Sequence, residues 1–512
     1  MTSPFLHVRQ GQPVALASLA PRGTAEFRAA IIAAVRDGAR LAAFFGHSAP
    51  GADAVRLYAV LADDAAGELA LATADVRDRY PALTPDCPQA QAFERELAEQ
   101  WNVRPEGHPW LKPLRFHAPY RTGGTPVFPA GADRVPGVTD FYRVAGEEIH
   151  EVAVGPTHAG IIEPGHFRFQ CHGERVLHLE IALGYQHRGI EGPGRDGFPI
   201  LGKSSAGGFQ CVETVAGDTT IGHALAHAEA VEALAGCRVP ARAQVLRAVA
   251  LELERLANHT GDLGALAGDV GYLPTASFCG RLRGDFLNLT ALLCGSRFGR
   301  GLLRIGGVGF DAEPDRVARL LAQLERARRD VANAVNLLWT TPSVMARFEG
   351  TGALTTDLCT ELGLVGPVAR ACGLERDDRS RFPAGLYRFA QMPVSTWHTG
   401  DVFARAYVRW LEIQRSLAFV REQLETLPAG PLWREAGALP PHALVVTLVE
   451  GWRGEICHAA VTDAQGGFAR YKIVDPSFHN WLGLALAMRD QQISDFPLCN
   501  KSFNLSYCGH DL

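Results

Sequence analysis

The chain has 512 residues and a formal net charge of −5. With 50 basic and 55 acidic residues, it has no charge excess of the kind that binds nucleic acid, and we predict no nucleic-acid partner. No run of eighteen apolar residues occurs, and residues 1–10 lack the basic and apolar regions of a signal peptide. We therefore expect neither a transmembrane segment nor a leader. Eleven cysteines are scattered singly without a Cys-x-x-Cys pair, which is typical of reduced thiols in the cytosol.

The first 120 residues alternate between helical and strand patterns. Residues 23–43 carry apolar side chains at helical spacing, and a second helix is predicted at 88–100. Residues 57–61 and 67–73 have the composition of short strands. We predict a small α/β domain over residues 1–120.

Residues 121–145 are rich in proline, glycine and polar side chains, which predicts a linker. Three short β-like runs follow at 149–154, 167–171 and 176–182. They predict a β-hairpin or small sheet at the entry to the second domain.

The rest of the chain is dominated by helical spacing. Helices are predicted at 222–234, 242–266, 278–293, 314–338 and 404–427. The predicted fold class is therefore α+β. A small N-terminal α/β domain is followed by a large, mostly helical domain, residues 146–512, which has a β-hairpin entry and a mixed C-terminal tail.

Seven short motifs follow one another from about residue 90 onward. They are Pro-Glu-Gly-His-Pro at 105–109, Gly-Pro-Thr-His at 155–158, Glu-Pro-Gly-His-Phe at 163–167, His-Arg-Gly-Ile-Glu at 187–191, Glu-Arg-Leu-Ala-Asn-His at 254–259, Gly-Asp-Val-Phe-Ala-Arg at 400–405 and Asp-Pro-Ser-Phe-His-Asn-Trp at 475–481. In this order they resemble the superfamily of group 4 [NiFe]-hydrogenase large subunits and complex I 49-kDa-type subunits. The N-terminal part resembles the 30-kDa-type subunit, and this fusion is similar to the large subunits of formate hydrogenlyase and hydrogenase-4.

The family holds nickel through two Cys-x-x-Cys pairs, because soft thiolates suit a NiFe centre. Aligned with the family pattern ERxCGxCxxxH, this chain retains His223 but has Ala216 and Thr219 at the cysteine positions. The late pair falls on Ser506 and Gly509. The resemblance therefore implies a large subunit without nickel ligands, and we predict no metal site.

The complex I relatives bind a quinone head group in this cavity. The resemblance carries that role to His158 and Asp269, while the family's tyrosine position is Gly217. Because a reduced quinone needs proton donors, we predict that His158, Asp269, Gly217 and His223 form the cofactor-binding site.

Glu163 matches the glutamate that begins a proton path in the hydrogenases, since a buried carboxyl group can relay protons. Glu163, His158 and Asp269 are thus the candidate catalytic residues. An alternative stays open in which His158 and Asp269 form structural hydrogen bonds, and Glu163 pairs with Arg168 or Arg188.

The resemblance implies a subunit of a membrane-associated energy-converting oxidoreductase of NADH-quinone oxidoreductase or hydrogenase-4 type. Electron transfer would be coupled to the movement of protons or other ions. Quinone is the candidate cofactor, and an iron–sulfur cluster would lie in a neighbouring subunit. The expected partners are that iron–sulfur subunit and antiporter-like and other integral membrane subunits. The chain would be peripheral, on the cytoplasmic side of the inner membrane. Two alternatives are a non-redox scaffold or coupling subunit and an active [NiFe]-hydrogenase.

Overall fold

The computed structural model of the chain describes residues 3–49, 53–121, 125–128, 135–160, 162–192 and 208–512. Part of the predicted linker therefore lies outside the described residues. No described helix has the length and apolar character needed to cross a membrane.

The N-terminal segment is built around an antiparallel sheet. The strands of this segment are β1 (Leu6–Val8), β2 (Val14–Ala15), β3 (Arg40–Ser48), β4 (Val55–Asp63), β5 (Glu68–Val76), β6 (Arg79–Pro81) and β7 (Arg104–Glu106). Its helices are α1 (Thr24–Arg36) and α2 (Gln91–Trp101). Four strands pair in the order β1-β5-β4-β3, and both helices contact this sheet.

The first helix is shorter than its apolar spacing predicts. α1 ends at Arg36, and Leu41 lies in β3 instead. Gly38 adopts a φ of +105°, a conformation that side chains other than glycine rarely reach, so the helix stops there. The residues that follow are a continuous apolar run, which suits a buried strand as well as a helix.

The predicted entry hairpin is a three-stranded sheet. Its strands are β8 (Ile149–Val154), β9 (His166–His172) and β10 (Arg175–Ala182), and they pair antiparallel in the order β10-β9-β8. The connection from β8 to β9 carries the residues of two sequence motifs, among them His158 and Glu163.

A helical core follows, in which α5 is central. The elements are α3 (Phe209–Val212), α4 (Thr220–Leu234), α5 (Ala241–Asp269), α6 (Leu273–Cys294), β11 (Leu303–Arg304), β12 (Gly307–Val308), α7 (Pro314–Trp339), α8 (Pro342–Phe348), α9 (Thr356–Glu361), α10 (Gly366–Ala371), α11 (Asp378–Arg381) and α12 (Val402–Glu425). Helices α4, α6, α7 and α12 all contact α5, whose apolar residues form one large core with theirs.

The C-terminal tail contains a sheet that the sequence analysis did not resolve. Its elements are β13 (Ala443–Gly451), β14 (Gly454–Thr462), β15 (Phe468–Val474), α13 (Pro476–Ala487), α14 (Phe496–Phe503) and α15 (Tyr507–Asp511). The strand order is β15-β14-β13-β2, so the N-terminal segment contributes the edge strand. Every residue of β13 and β14 is buried.

The N-terminal segment and the C-terminal sheet share one hydrophobic core. The Phe93 ring of α2 lies 4.9 Å from that of Phe478 in α13. The buried ammonium of Lys472 in β15 is 2.7 Å from the carboxylate of Glu96 in α2. The N-terminal segment therefore helps to fix the sheet that carries part of the site described next.

Candidate functional site

The four positions aligned with family cysteines lie in two turns. The early turn, residues 216–219, precedes α4, and the late turn, residues 506–509, includes the start of α15. Among the described residues, no group of three His, Cys, Asp or Glu side chains is arranged to hold a metal ion. Ser506 instead caps α15, where its Oγ accepts a hydrogen bond from the Gly509 amide at 2.9 Å.

Arg453 links the two turns. It lies in the tight connection between β13 and β14, and its guanidinium binds both carboxylate oxygens of Asp218 at 2.6 and 2.7 Å. The same guanidinium donates to the carbonyl of Asn504 at 2.5 Å and to Thr219 Oγ1 at 3.2 Å. Asp218 and the other surrounding carboxylates raise the pKa of Arg453 despite its burial. A partly buried ion pair with Asp218 and a hydrogen bond to Asn504, two residues before the late turn, thus connect Arg453 to both segments.

Glu163 closes the late turn from the hairpin side. Its Oε2 accepts hydrogen bonds from the backbone amides of Tyr507 at 3.2 Å and Cys508 at 3.3 Å. Neither arginine considered as its partner binds it. Arg168 pairs with Glu151. Arg188 donates to the carbonyls of Thr214 and Val215, which precede the early turn.

Cys508 belongs to the late turn and contacts the early turn at the Gly217 backbone. Its thiol is 3.4 Å from Ser506 Oγ. Burial and the adjacent Glu163 raise the pKa of Cys508 to about 12, although a hydrogen bond from the Gly217 backbone opposes them. At neutral pH this thiol is therefore protonated and is a poor nucleophile.

His158 and Tyr507 form a hydrogen-bonded pair beside this cluster. The Tyr507 hydroxyl is 3.3 Å from His158 Nε2, and the Tyr507 side chain is almost fully buried. Burial raises the pKa of Tyr507 to about 12, whereas desolvation lowers the pKa of His158. At neutral pH the pair is therefore a protonated phenol and a neutral imidazole.

Gly165 explains how the Tyr507 ring can approach the hairpin. A Cβ atom added at Gly165 would lie 2.5 Å from Cε1 of that ring, so a larger residue could not occupy this position without displacing it. Trp481 packs edge-on against the opposite part of the ring, with 4.9 Å between ring centroids. The Glu-Pro-Gly-His-Phe motif therefore supplies both Glu163 and the space for Tyr507.

The remaining predicted residues occupy different surroundings. Gly217 is exposed, and nothing lies within 4 Å of the point where its side chain would begin. Asp269 is exposed at the last residue of α5. In the part of the chain that the structure describes, no hydrogen bond or ion pair joins Asp269 to His158. The structure thus brings together His158, Glu163 and Gly217, but not Asp269.

His223 belongs to a buried chain of polar side chains behind the late turn. Its Nε2 is 3.0 Å from Asp475 Oδ2, and its Nδ1 is 3.1 Å from Nε2 of His458 in β14. The chain continues from His458 Nδ1 to the Tyr471 hydroxyl at 3.0 Å, and from there to His227 Nδ1 at 2.7 Å.

The sequence motifs did not predict several residues of this site. They are Arg453, His458, Tyr471, Asp475 and Tyr507. A weak signal existed for two of them, since His458 and Tyr471 are polar residues inside otherwise apolar strands.

Comparison with known proteins identifies the family. The family described as respiratory-chain NADH dehydrogenase, 49 Kd subunit, matches residues 269–442. Formate hydrogenlyase subunit 5 of Escherichia coli is 30% identical over 449 residues, which cover 84% of this chain and 76% of that protein. The chain belongs to the family of group 4 hydrogenase large subunits and complex I 49-kDa subunits.

Two further proteins match different shares of the chain. Carbon monoxide-induced hydrogenase of Rhodospirillum rubrum is 31% identical over 358 residues, which cover 69% of this chain and 97% of that protein. One chain of the archaeal membrane-bound sulfane sulfur reductase, a respiratory membrane complex, superposes with a TM-score of 0.66 at 22% identity. That match covers 72% of this chain and 99% of the other, and it shows the shared fold.

Proposed function

We propose that the chain is the large subunit of a membrane-associated energy-converting oxidoreductase, of NADH-quinone oxidoreductase or hydrogenase-4 type. In this proposal the site formed by the two turns and the hairpin binds a quinone and handles protons without nickel. The observation that carries it is the hydrogen bond between Tyr507 and His158, next to Glu163, at the place where the hydrogenases hold their metal.

The donor set fits a quinone head group. Reduction of a quinone to a quinol consumes two electrons and two protons, and the protons must reach the two carbonyl oxygens. Tyr507 keeps its proton at neutral pH, and the neutral imidazole of His158 can pass on another. Gly217 is exposed, and nothing lies within 4 Å of the point where its side chain would begin, so a ligand can approach the early turn there.

The chain would receive electrons from an iron–sulfur cluster in a partner subunit. Integral membrane subunits, including antiporter-like ones, would complete the assembly and move protons or other ions. The names of the relatives support this, since they include a formate hydrogenlyase, a hydrogenase and a respiratory membrane complex. We place the chain as a peripheral subunit on the cytoplasmic side of the membrane.

We further propose that residues 1–120 are a 30-kDa-type domain. The match to formate hydrogenlyase subunit 5 extends over 84% of the chain, whereas the Rhodospirillum hydrogenase is matched almost entirely by only 69% of it. That difference is consistent with an extra N-terminal segment shared with the first relative.

A scaffold or coupling role is the second candidate. The Arg453–Asp218 ion pair favours it, because it stabilises the two turns without any ligand. A scaffold predicts that the assembled complex retains all activity when His158 and Tyr507 are altered.

The rate of quinone reduction by the assembled complex distinguishes the quinone proposal from the scaffold role. With dithionite-reduced methyl viologen as donor and menadione as acceptor, we expect Tyr507→Phe and His158→Ala to lower the rate by about 10²-fold, as for a lost acid–base group. Asp269→Asn tests the predicted residue that makes no hydrogen bond or ion pair with His158 among the described residues. Tyr142→Phe removes an exposed hydroxyl elsewhere and serves as the control. Wild-type rates in Tyr507→Phe and His158→Ala would contradict the quinone proposal.

A further inference from the structure

Five side chains behind the late turn form one continuous line of hydrogen bonds. In order they are Asp475, His223, His458, Tyr471 and His227, and the four distances lie between 2.7 and 3.1 Å. All five are buried. They come from α4, from the adjacent strands β14 and β15, and from the N-cap of α13.

The atoms of this line can be protonated in two complete ways. In the first, His227 Nδ1–H donates to Tyr471, Tyr471 to His458 Nδ1, His458 Nε2–H to His223, and His223 Nε2–H to the Asp475 carboxylate. In the second, a protonated Asp475 donates to His223, and every other bond reverses. Both satisfy all four hydrogen bonds without moving a heavy atom.

One proton transit converts the first arrangement into the second. A proton enters at His227 Nε2, each of the four shared protons shifts to its neighbour, and one proton arrives on Asp475. Only N–H and O–H bonds break and form, and the imidazoles and the phenol stay neutral before and after. A purely structural network would need just one of the two arrangements.

The Asp475 end of the line packs against the late turn. A Cβ atom added at Gly509 would lie 2.7 Å from Asp475 Oδ2 and 2.9 Å from Ser506 Oγ, so the carboxylate fills the space beside the late turn. Ser506 is in turn 3.4 Å from the Cys508 thiol. The line therefore ends at the turn that also carries Tyr507 and Cys508.

We propose that Asp475, His223, His458, Tyr471 and His227 are a proton wire that carries a proton between His227 of α4 and Asp475 beside the late turn. The use of this wire in turnover rests on the proposed function. Its physical existence does not, because the alternating donors and acceptors are properties of the fold.

The charges of the line match its resting arrangement. Burial, with the neighbouring His223 and His227, holds the pKa of His458 well below its usual range. Burial acts to raise the pKa of Asp475, but the hydrogen bond from His223 and the charge of Arg453 leave it lowered. A neutral His458 and an ionised Asp475 are the states that the first arrangement requires.

Nitrogen NMR of the assembled complex labelled with [15N]histidine tests the wire directly. We expect His458 to rest with Nε2 protonated and Nδ1 unprotonated and to exchange with the opposite tautomer as a minor state, which nitrogen relaxation dispersion detects, and His458→Gln identifies the resonances. Thr447→Val removes a buried hydroxyl that bonds to the backbone carbonyls of Ala226 and His458 and to no side chain of the wire, so it should leave the exchange unchanged. One fixed tautomer of His458 would overturn the proposal.

Turnover supplies the second readout. Tyr471→Phe removes only the bridging hydroxyl, and His458→Gln keeps a donor and an acceptor although an amide nitrogen does not take up protons. With methyl viologen and menadione, we expect both to lower quinone reduction at least tenfold, while the iron–sulfur clusters are reduced at the wild-type rate. Thr447→Val should change neither.

The outcomes separate the two proposals. If the wild-type complex reduces menadione and both variants keep its rate, the wire is wrong and the proposed function stands. If the wild-type complex reduces no quinone, the proposed function is wrong, and the tautomers of His458 still decide the wire.

Discussion

Tyr507 and His158 are 349 residues apart in the chain, yet they share a hydrogen bond. The hairpin motifs place His158 and Glu163 correctly in one loop, because a local motif records local geometry. They cannot indicate that a tyrosine from the C-terminus lies beside His158. The role of Asp269 stays a prediction; its side chain is exposed at the end of α5.

Gly165 should be sensitive to the addition of a single methyl group. In Gly165→Ala the new Cβ would overlap the Tyr507 ring at 2.5 Å. We expect a loss of about 1–3 kcal/mol in the free energy of unfolding, as for an overpacked core, together with slower quinone reduction. Urea denaturation measures the first effect.

Gly160→Ala is the matched control for this change. Gly160 lies in the same connection, and nothing lies within 4 Å of its would-be Cβ. If both alanine variants have the same stability, the close packing of Gly165 on Tyr507 is wrong.

At the scale of elements, periodic helices were predicted well. The predicted helices at 222–234, 242–266 and 314–338 match α4, α5 and α7 closely. α7 has an apolar stripe at helical spacing, whereas α4 is apolar and buried on nearly all sides. The C-terminal sheet was missed because β13 and β14 are buried on both faces and show no alternation. The Arg453 turn between them, and the position of Asp475 after β15, were therefore missed as well.

The Arg453 turn should hold the early and late turns together. Arg453→Met leaves Asp218 unpaired, and we expect a loss of about 3 kcal/mol, the low end for a broken buried pair because Asp218 is one-third exposed. The double variant with Asp218→Asn should recover part of this loss in a double-mutant cycle. Strictly additive effects of the two changes would show that no coupling exists.

Glu254 of α5 should make the stability depend on pH. Its carboxylate accepts the amides of Ile221 and Gly222 at the start of α4, and burial, opposed by these bonds, raises its pKa to about 8. A glutamate in the unfolded chain has a pKa of about 4.3. Between about pH 4 and about pH 8 the folded state therefore binds one proton that the unfolded state does not. The stability contributed by this group is present below about pH 4 and is lost as the pH rises to about 8.

Urea denaturation of wild type and Glu254→Gln across this range isolates the effect. The glutamine variant, which cannot ionise, should gain stability relative to wild type as the pH rises from 5 to 8. A difference between the two proteins that stays constant with pH would contradict the raised pKa.

At the scale of the whole molecule, the N-terminal segment is held by the C-terminal sheet. β2 pairs with β13, and Phe93 packs on Phe478 in a core that both parts share. Composition indicates a boundary near residues 121–145, but a linker-like sequence does not reveal whether the two sides pack together. Long-range burial of this kind depends on tertiary structure that local patterns do not encode.

A shared core predicts that the chain unfolds as one unit. Differential scanning calorimetry should give a single transition, whose calorimetric and van't Hoff enthalpies agree. Phe93→Ala should lower that whole transition, by about 3–5 kcal/mol in the free energy of unfolding. Two resolved transitions, of which only the first responds to Phe93→Ala, would show that the N-terminal segment is independent.

We propose that this large subunit works without nickel, at a site formed by Arg453, Glu163, Tyr507 and His158. Metal analysis of the purified, active complex by mass spectrometry tests it most directly. We expect iron from the iron–sulfur clusters of partner subunits and nickel far below one atom per chain. One nickel atom per chain in the active complex, lost together with activity on chelation, would contradict it.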